Sequence, residues 1–159
     1  MPGWWPEEKW AGMLAGEDCP MCADAHVPTN RGGELVAELD WSFARLAVNQ
    51  THAGYCVVVF KQHVAEIDDR TKQQRDGFWA DVAIVATAIR AVFAPRKLDY
   101  LVMGHRIPHL HCHVYPQYSG DDPLHNVDIW EGDVRLDARE MAARVGLLRD
   151  AIVRVEPST

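Results

Sequence analysis

Apolar residues recur along the chain in two rhythms. Phe78, Val82, Val85, Ile89 and Val92 repeat at helical spacing and predict one long helix from about Asp69 to Ala94. Asp68 or Asp69 can cap its start by accepting from free backbone N–H groups, and Pro95 ends it. Gly77 is a weak point in its interior. Met141, Val145, Leu148 and Ile152 predict a last helix over about Asp137 to Val155, and Trp10, Met13 and Leu14 a short one in a Trp-rich lead, residues 1–18. Shorter apolar or alternating runs mark strands. Glu34 to Leu39 and Ser42 to Val48 read as a hairpin turning at Asp40-Trp41. Tyr55 to Phe60, with three valines in succession, reads as a buried central strand, and Asp99 to Met103 and Pro108 to Tyr115 follow. Residues 23–33 and 116–136 are punctuated by Gly, Pro and Asn or Asp and read as irregular. Strands run together and two helices frame them. The fold class is therefore α+β in a single domain, with a mainly antiparallel sheet of about five strands, one long central helix and a C-terminal helix.

Composition narrows the partners. The chain of 159 residues carries 16 Lys and Arg against 23 Asp and Glu, a formal charge of -7. Basic residues dominate affinity for DNA and RNA, so a nucleic acid polymer is not expected as a partner, whereas a small nucleotide in a local pocket is compatible. No apolar run reaches the ~18 residues of a membrane span, and the start Met1-Pro2-Gly3-Trp4-Trp5-Pro6 lacks the basic and apolar regions of a signal peptide. The expected location is the cytoplasm. There Cys19, Cys22, Cys56 and Cys112 would be thiols or metal ligands, not disulfides.

Four of the eight histidines fall within nine residues: His105, His109, His111 and His113. In a strand over 108–115, period two places His109, His111 and His113 on one face and Leu110, Cys112 and Val114 on the other. Same-face neighbours would lie roughly 6.5–7 Å apart and the outer pair roughly 13 Å, so one metal cannot hold all three without bending the strand. Such a row suits a metal at one end and a phosphate at the other. Neutral imidazole, dominant at pH 7, attacks phosphorus well when the other ring nitrogen donates a hydrogen bond that fixes the tautomer. A neighbouring imidazole can bind or protonate a phosphoryl oxygen. Surface histidines on an edge strand are the plain alternative, disfavoured by three on one face alternating with apolar residues.

His109-Leu110-His111-Cys112-His113-Val114-Tyr115 resembles the His-x-His-x-His signature of the histidine triad (HIT) superfamily of nucleotide hydrolases and transferases. Ala53-Gly54-Tyr55 through Lys61-Gln62-His63-Val64 is similar to that family's Gly-led strand ending in a Lys-x-His turn. Asp121-Asp122-Pro123 resembles the bacterial branch related to diadenosine tetraphosphate hydrolases, and the likeness spans about residues 19–131. The resemblance implies that His111 attacks an α-phosphate to form a nucleotidyl-histidine, that His113 contacts the phosphate, and that the protein is a homodimer. Two stretches depart from the family pattern. Met103-Gly104-His105-Arg106 stands where an Asn, Ser or Gln is common, and Pro116-Gln117 where Pro-Arg is common. His105, Arg106 and Gln117 are thus candidate phosphate-binding residues.

Cys19-x-x-Cys22 has the ligand spacing of a zinc site. His63 and His109 can complete it if their strands are neighbours, and metal-bearing members of the superfamily resemble this arrangement. A Cys₂His₂ zinc would be structural, with no open position for substrate. The alternative leaves His109 as a hydrogen-bonding partner in the site. Other residues have plainer readings. His52 is read as a turn histidine ahead of a phosphate contact, and His26 and His125 as exposed. Cys56 and Cys112 are core thiols, and Trp41 and Trp130 pack in the core or an interface. Asn30 and Asn49 can reach a ribose or phosphate.

The leading function is cleavage of a nucleotide phosphoanhydride or phosphoramidate through His111. A phosphorylase or nucleotidyltransferase would share the covalent step, and a nucleotide-binding module would lack turnover. A cupin-type metal enzyme needs a Glu about four residues after its second His, where Tyr115 and Pro116 stand.

Overall fold

The computed structural model describes residues 3–124 and 132–155, so His125 and Trp130 lie outside the described residues. The order is α1 (Glu7–Ala15), α2 (Pro20–Asp24), β1 (Thr29–Asn30), β2 (Gly33–Glu38), β3 (Ser42–Ala47), β4 (Cys56–Phe60), α3 (Lys72–Phe93), β5 (Lys97–Leu101), β6 (His111–Gln117) and α4 (Ala138–Val155). The strands form one six-stranded sheet in the order β1-β2-β3-β4-β6-β5, with every pair antiparallel. The α+β class holds. The sixth strand is the two-residue β1, inside the stretch expected to be loop.

Helices α3 and α4 cover one face of this sheet. Phe78, Val82, Val85 and Ile89 of α3 and Met141, Val145, Leu148 and Ile152 of α4 bury against Leu46, Val58, Phe60, Cys112 and Val114. These are the apolar positions read from periodicity, together with Cys56, and both core thiols are fully buried. Arg149 of α4 donates Nε–H to the Val36 carbonyl and Nη2–H to that of Leu35, at 2.8 Å each, where a bulge in β2 breaks the ladder.

Several element ends differ from expectation. Helix α3 starts at Lys72, and its cap is Thr71, not Asp68 or Asp69. The Thr71 Oγ1 accepts from Gln74 N–H while the Gln74 side chain accepts from Thr71 N–H, a reciprocal capping box. Asp68 and Asp69 lie in a separate 3₁₀ turn, Ile67–Asp69. Gly77 has a packing reason inside α3. A Cβ there would stand 2.3 Å from the Trp41 indole nitrogen, so the partly buried Trp41 lies across the helix only because the side chain is missing. Strand β6 runs from His111 to Gln117, not from Pro108 to Tyr115, which moves His109 out of the strand.

The second face of the sheet is turned away from α3 and α4. Ala47, Tyr55 and Tyr115 form a small cluster there, with Val57, Leu101 and Met103 against it. No helix among the described residues is long and apolar enough to cross a membrane.

Candidate active site and metal centre

Strand β6 pairs with β4 on one side and β5 on the other, in the registers Val59↔His111, Val57↔His113 and Leu101↔His113. The alternation is as expected within the strand: Cys112 and Val114 enter the helical core while His111 and His113 face away from it. Their rings meet edge to face with centroids 4.8 Å apart.

His109 does not continue that row. It precedes the strand, its N–H donates to the Ile107 carbonyl at 2.8 Å, and its ring turns toward the N-terminal knuckle. The one-face arrangement expected of all three histidines is therefore corrected. Pairing of Leu110 with Phe60 and Val64 holds this stretch beside the end of β4.

At the knuckle, Cys19 is the N-cap of α2 and Cys22 lies within its first turn, so both thiols leave the same end of one short helix. Cys22 Sγ lies 3.2 Å from His63 Nδ1 and 3.5 Å from His109 Nδ1. Cys19 Sγ is 3.4 Å from His109 Nδ1, and the two Nδ1 atoms are 3.3 Å apart. All four donor atoms fall within 4.8 Å of one another. A tetrahedral ion with Zn–S ~2.3 Å and Zn–N ~2.0–2.1 Å has edges of roughly 3.3–3.8 Å, so the donor set has the right span. The tautomers fit as well. His109 Nε2–H donates to the Phe60 carbonyl at 2.7 Å and His63 Nε2–H to the Leu14 carbonyl at 3.0 Å, which leaves both Nδ1 lone pairs pointing inward. Burial pushes His109 down to about 4, keeping it neutral as a ligand must be. Burial and the neighbouring Cys19 push the Cys22 thiol up to about 11.

A second cluster begins two residues along, at His111. His111 Nδ1–H donates to the His109 carbonyl at 2.5 Å, which fixes the tautomer and leaves the Nε2 lone pair exposed to attack chemistry. Burial lowers the His111 pKa, so the ring is neutral at pH 7. The Tyr55 hydroxyl is 2.6 Å from His113 Nδ1. Burial, then the neighbouring His111, holds His113 down to about 3. In the sequence Tyr55 reads as an ordinary strand tyrosine; the signal for its role is its period-two phase with Val57, which pairs with His113.

His111 and His113 open onto a pocket of about 170 Å³, also lined by Met21, Met103, His105, Arg106 and Ile107. The structure thus brings His105 and Arg106 to the rim of the histidine pair. Gln117 ends β6 four residues beyond His113 and donates its amide to Asp99 at 3.0 Å. Met21 comes from between the two cysteines, and Trp5 of the lead donates its indole N–H to the His105 carbonyl at 3.0 Å. His52 is buried in the turn before β4. Its Nδ1 lies 2.7 Å from the Pro116 carbonyl and 3.3 Å from an Asp121 carboxylate oxygen, so it ties that turn to the far end of β6. Asn30 accepts from the Gly32 and Gly33 N–H groups, and Asn49 bridges Thr51 and the Gly132 carbonyl, so both asparagines hold loops.

Comparison with known proteins gives this architecture a context. A protein from Bacillus subtilis (strain 168) called Protein hit is 26% identical over 117 residues, covering 69% of this chain and 78% of that protein. A histidine triad protein from Bradyrhizobium japonicum superposes with a TM-score of 0.67 at 18% identity, over 95% of this chain and 99% of that one. A Zn-bound histidine triad family protein from Mycobacterium smegmatis gives 0.65 at 20% identity, over 87% and 95%. The HIT domain family model matches residues 29–120, more than half the chain. This protein therefore belongs to the HIT domain family, whose general chemistry is nucleotide binding or HIT-type nucleotide hydrolysis and transfer.

Proposed function

We propose that the protein is a nucleotide hydrolase that cleaves a phosphoanhydride or phosphoramidate bond through a covalent nucleotidyl-histidine on His111. The observation that carries this reading is the His111 Nδ1–H bond to the His109 carbonyl, because it leaves a neutral, oriented Nε2 beside His113 and Arg106. Nε2 attacks the α-phosphorus, a P–N bond forms, and the bond to the leaving group breaks with its electron pair departing on that group. Water then attacks phosphorus, the P–N bond breaks, and a nucleoside monophosphate leaves with the proton passing to solvent. His113 donates to a non-bridging oxygen. Arg106, at the pocket rim, offsets the charge of the remaining phosphates, His105 beside it offers a hydrogen bond to them, and Gln117 serves substrate further along the strand.

Cys19, Cys22, His63 and His109 are proposed to hold a structural zinc, supported by the donor span, the two tautomers and the Zn-bound Mycobacterium smegmatis relative. When bound, the ion supplies charge compensation for two thiolates and leaves no coordination position for substrate. Four thiols without a disulfide among them suit a reducing compartment such as the cytoplasm. A homodimer is the expected assembly.

The test is intact-protein mass after neutral rapid quench, with a panel of dinucleoside polyphosphates and nucleoside phosphoramidates. A transient gain of one nucleoside monophosphate, absent in His111→Ala, is expected. Retained nucleotide affinity with no adduct and no monophosphate release would leave a binding module instead. Release that requires phosphate in place of water would identify a phosphorylase.

A further inference from the structure

We propose that Tyr55 is a positioning residue that sets the tautomer of His113, so that His113 faces the reacting phosphate as a neutral N–H donor through Nε2. The proposal rests on the hydrolase reading for its kinetic consequence but not for its chemistry.

Tyr55 is only 5% exposed, and among the described residues its hydroxyl has one hydrogen-bond partner, His113 Nδ1 at 2.6 Å. A buried hydroxyl has one proton to give and loses stability if that proton finds no acceptor. Were His113 Nδ1 protonated, two protons would face each other or the tyrosine O–H would be left without an acceptor. Donation from Tyr55 Oη–H to Nδ1 satisfies both groups. Burial raises the Tyr55 pKa, so the proton is present at all working pH values.

The consequence falls on the other nitrogen. A neutral imidazole carries one N–H, and with Nδ1 acting as acceptor it must sit on Nε2. His111 is arranged in the opposite sense, with Nδ1–H engaged and Nε2 bare. Two identical side chains, 4.8 Å apart at their centroids, are thereby given complementary roles: one bare nitrogen to attack and one N–H to hold the oxygen that gains charge. The backbone sets the first through a carbonyl, and the tyrosine just ahead of the neighbouring strand β4 sets the second. Tyr55 is itself fixed by an edge-to-face contact with Tyr115, with centroids 5.1 Å apart. Removing the hydroxyl alone therefore leaves the ring packing in place.

The experiment pairs long-range ¹⁵N–¹H NMR of the histidine rings with steady-state kinetics, on the full chain and on Tyr55→Phe. The wild type should show His113 with its proton on Nε2, and Tyr55→Phe should show a mixed tautomer. With a responsive dinucleoside polyphosphate, kcat should fall about tenfold while KM stays within about twofold. The same His113 tautomer in both proteins, or a proton on Nδ1 in the wild type, overturns the proposal. So does a changed tautomer with unchanged kcat. Should Tyr55→Phe not fold, 3-fluorotyrosine at position 55 keeps the ring and strengthens the donor. The His113 Nδ1 resonance should then move, and an unmoved resonance overturns the proposal. A tautomer that shifts as expected in a protein inert toward every substrate upholds the Tyr55 assignment and counts against the hydrolase reading instead.

Discussion

The carbonyl oxygen of His109 accepts the Nδ1–H of His111 at 2.5 Å, while the His109 ring belongs to the Cys19–Cys22–His63 cluster. One residue thus serves two clusters, its side chain the first and its backbone the second. Whatever fixes the His109 ring also fixes the carbonyl that orients the His111 ring.

Loss of one ligand should therefore be felt in both places. Cys22→Ser should lower zinc content, measured by elemental analysis. It should also cost on the order of 2–3 kcal/mol of stability, or about 5–10 °C in Tm for a chain of this size. Its kcat should fall more than its KM rises. Unchanged zinc stoichiometry in the variant would remove Cys22 from the ligand set.

Zinc uptake should release protons. The Cys22 thiol is pushed up to about 11 by burial and by Cys19, so it is protonated at neutral pH until a metal displaces the proton. Calorimetric zinc titration in buffers of different ionisation enthalpy should show at least about one proton released per ion. Identical heats in all buffers would contradict this.

Acid should destabilise the fold through His113. Its folded pKa is held down to about 3, chiefly by burial, against about 6.5 in an unfolded chain. Between these values the unfolded chain binds a proton that the folded chain refuses. Stability is thus intact above about pH 6.5 and falls as pH drops through that window, by about 1.4 kcal/mol per pH unit for this group. Urea midpoints at a series of pH values should show the slope, and His113→Asn should flatten it. An equal slope in the variant would assign the effect elsewhere.

Trp5 should tune substrate binding from outside the matched domain. Its indole N–H holds the His105 carbonyl at 3.0 Å, and His105 and Arg106 line the pocket. Trp5→Phe removes the donor while keeping an aromatic ring, and should raise KM about 2–10-fold with kcat near wild type. A variant kinetically identical to wild type would show that the lead does not reach the substrate.

Gly54→Ala should be severe. The residue has φ of +88°, and an added Cβ would stand 2.5 Å from the Phe93 ring. Backbone strain and overpacking together should cost about 2–4 kcal/mol, read from denaturant midpoints. A loss under about 1 kcal/mol would mean that the turn before Tyr55 relaxes easily.

The parts of this protein legible in its sequence are those set by local periodicity. The core faces of α3 and α4 and the alternation of His111, Cys112, His113 and Val114 follow from residue spacing alone. The start of α3 did not, although Thr71-x-x-Gln74 spells a capping box, because Asp68 and Asp69 are equally good caps by type. The decision is tertiary: Ile67 packs against the core and draws 67–69 into a turn of their own. His109 escaped the period-two rule because its neighbours Phe60 and Val64 and its donor partners at 19, 22 and 63 are all distant in the chain. Tyr55 is the same case, 58 positions from the histidine it touches. Such contacts exist only after β4 and β6 are in register.

Strand β6 sits inside the sheet, with His111 and His113 on one side and Cys112 and Val114 deep in the core on the other. The histidine-bearing half of the strand therefore has no private route to opening. Its amides can meet solvent only when the β4–β6–β5 ladder parts and the helices lift away. In hydrogen exchange, these residues should report the global unfolding free energy, while the His105–Arg106 rim exchanges early. The two imidazoles are thus as long-lived in their positions as the fold itself, and conformational adaptability is confined to the rim.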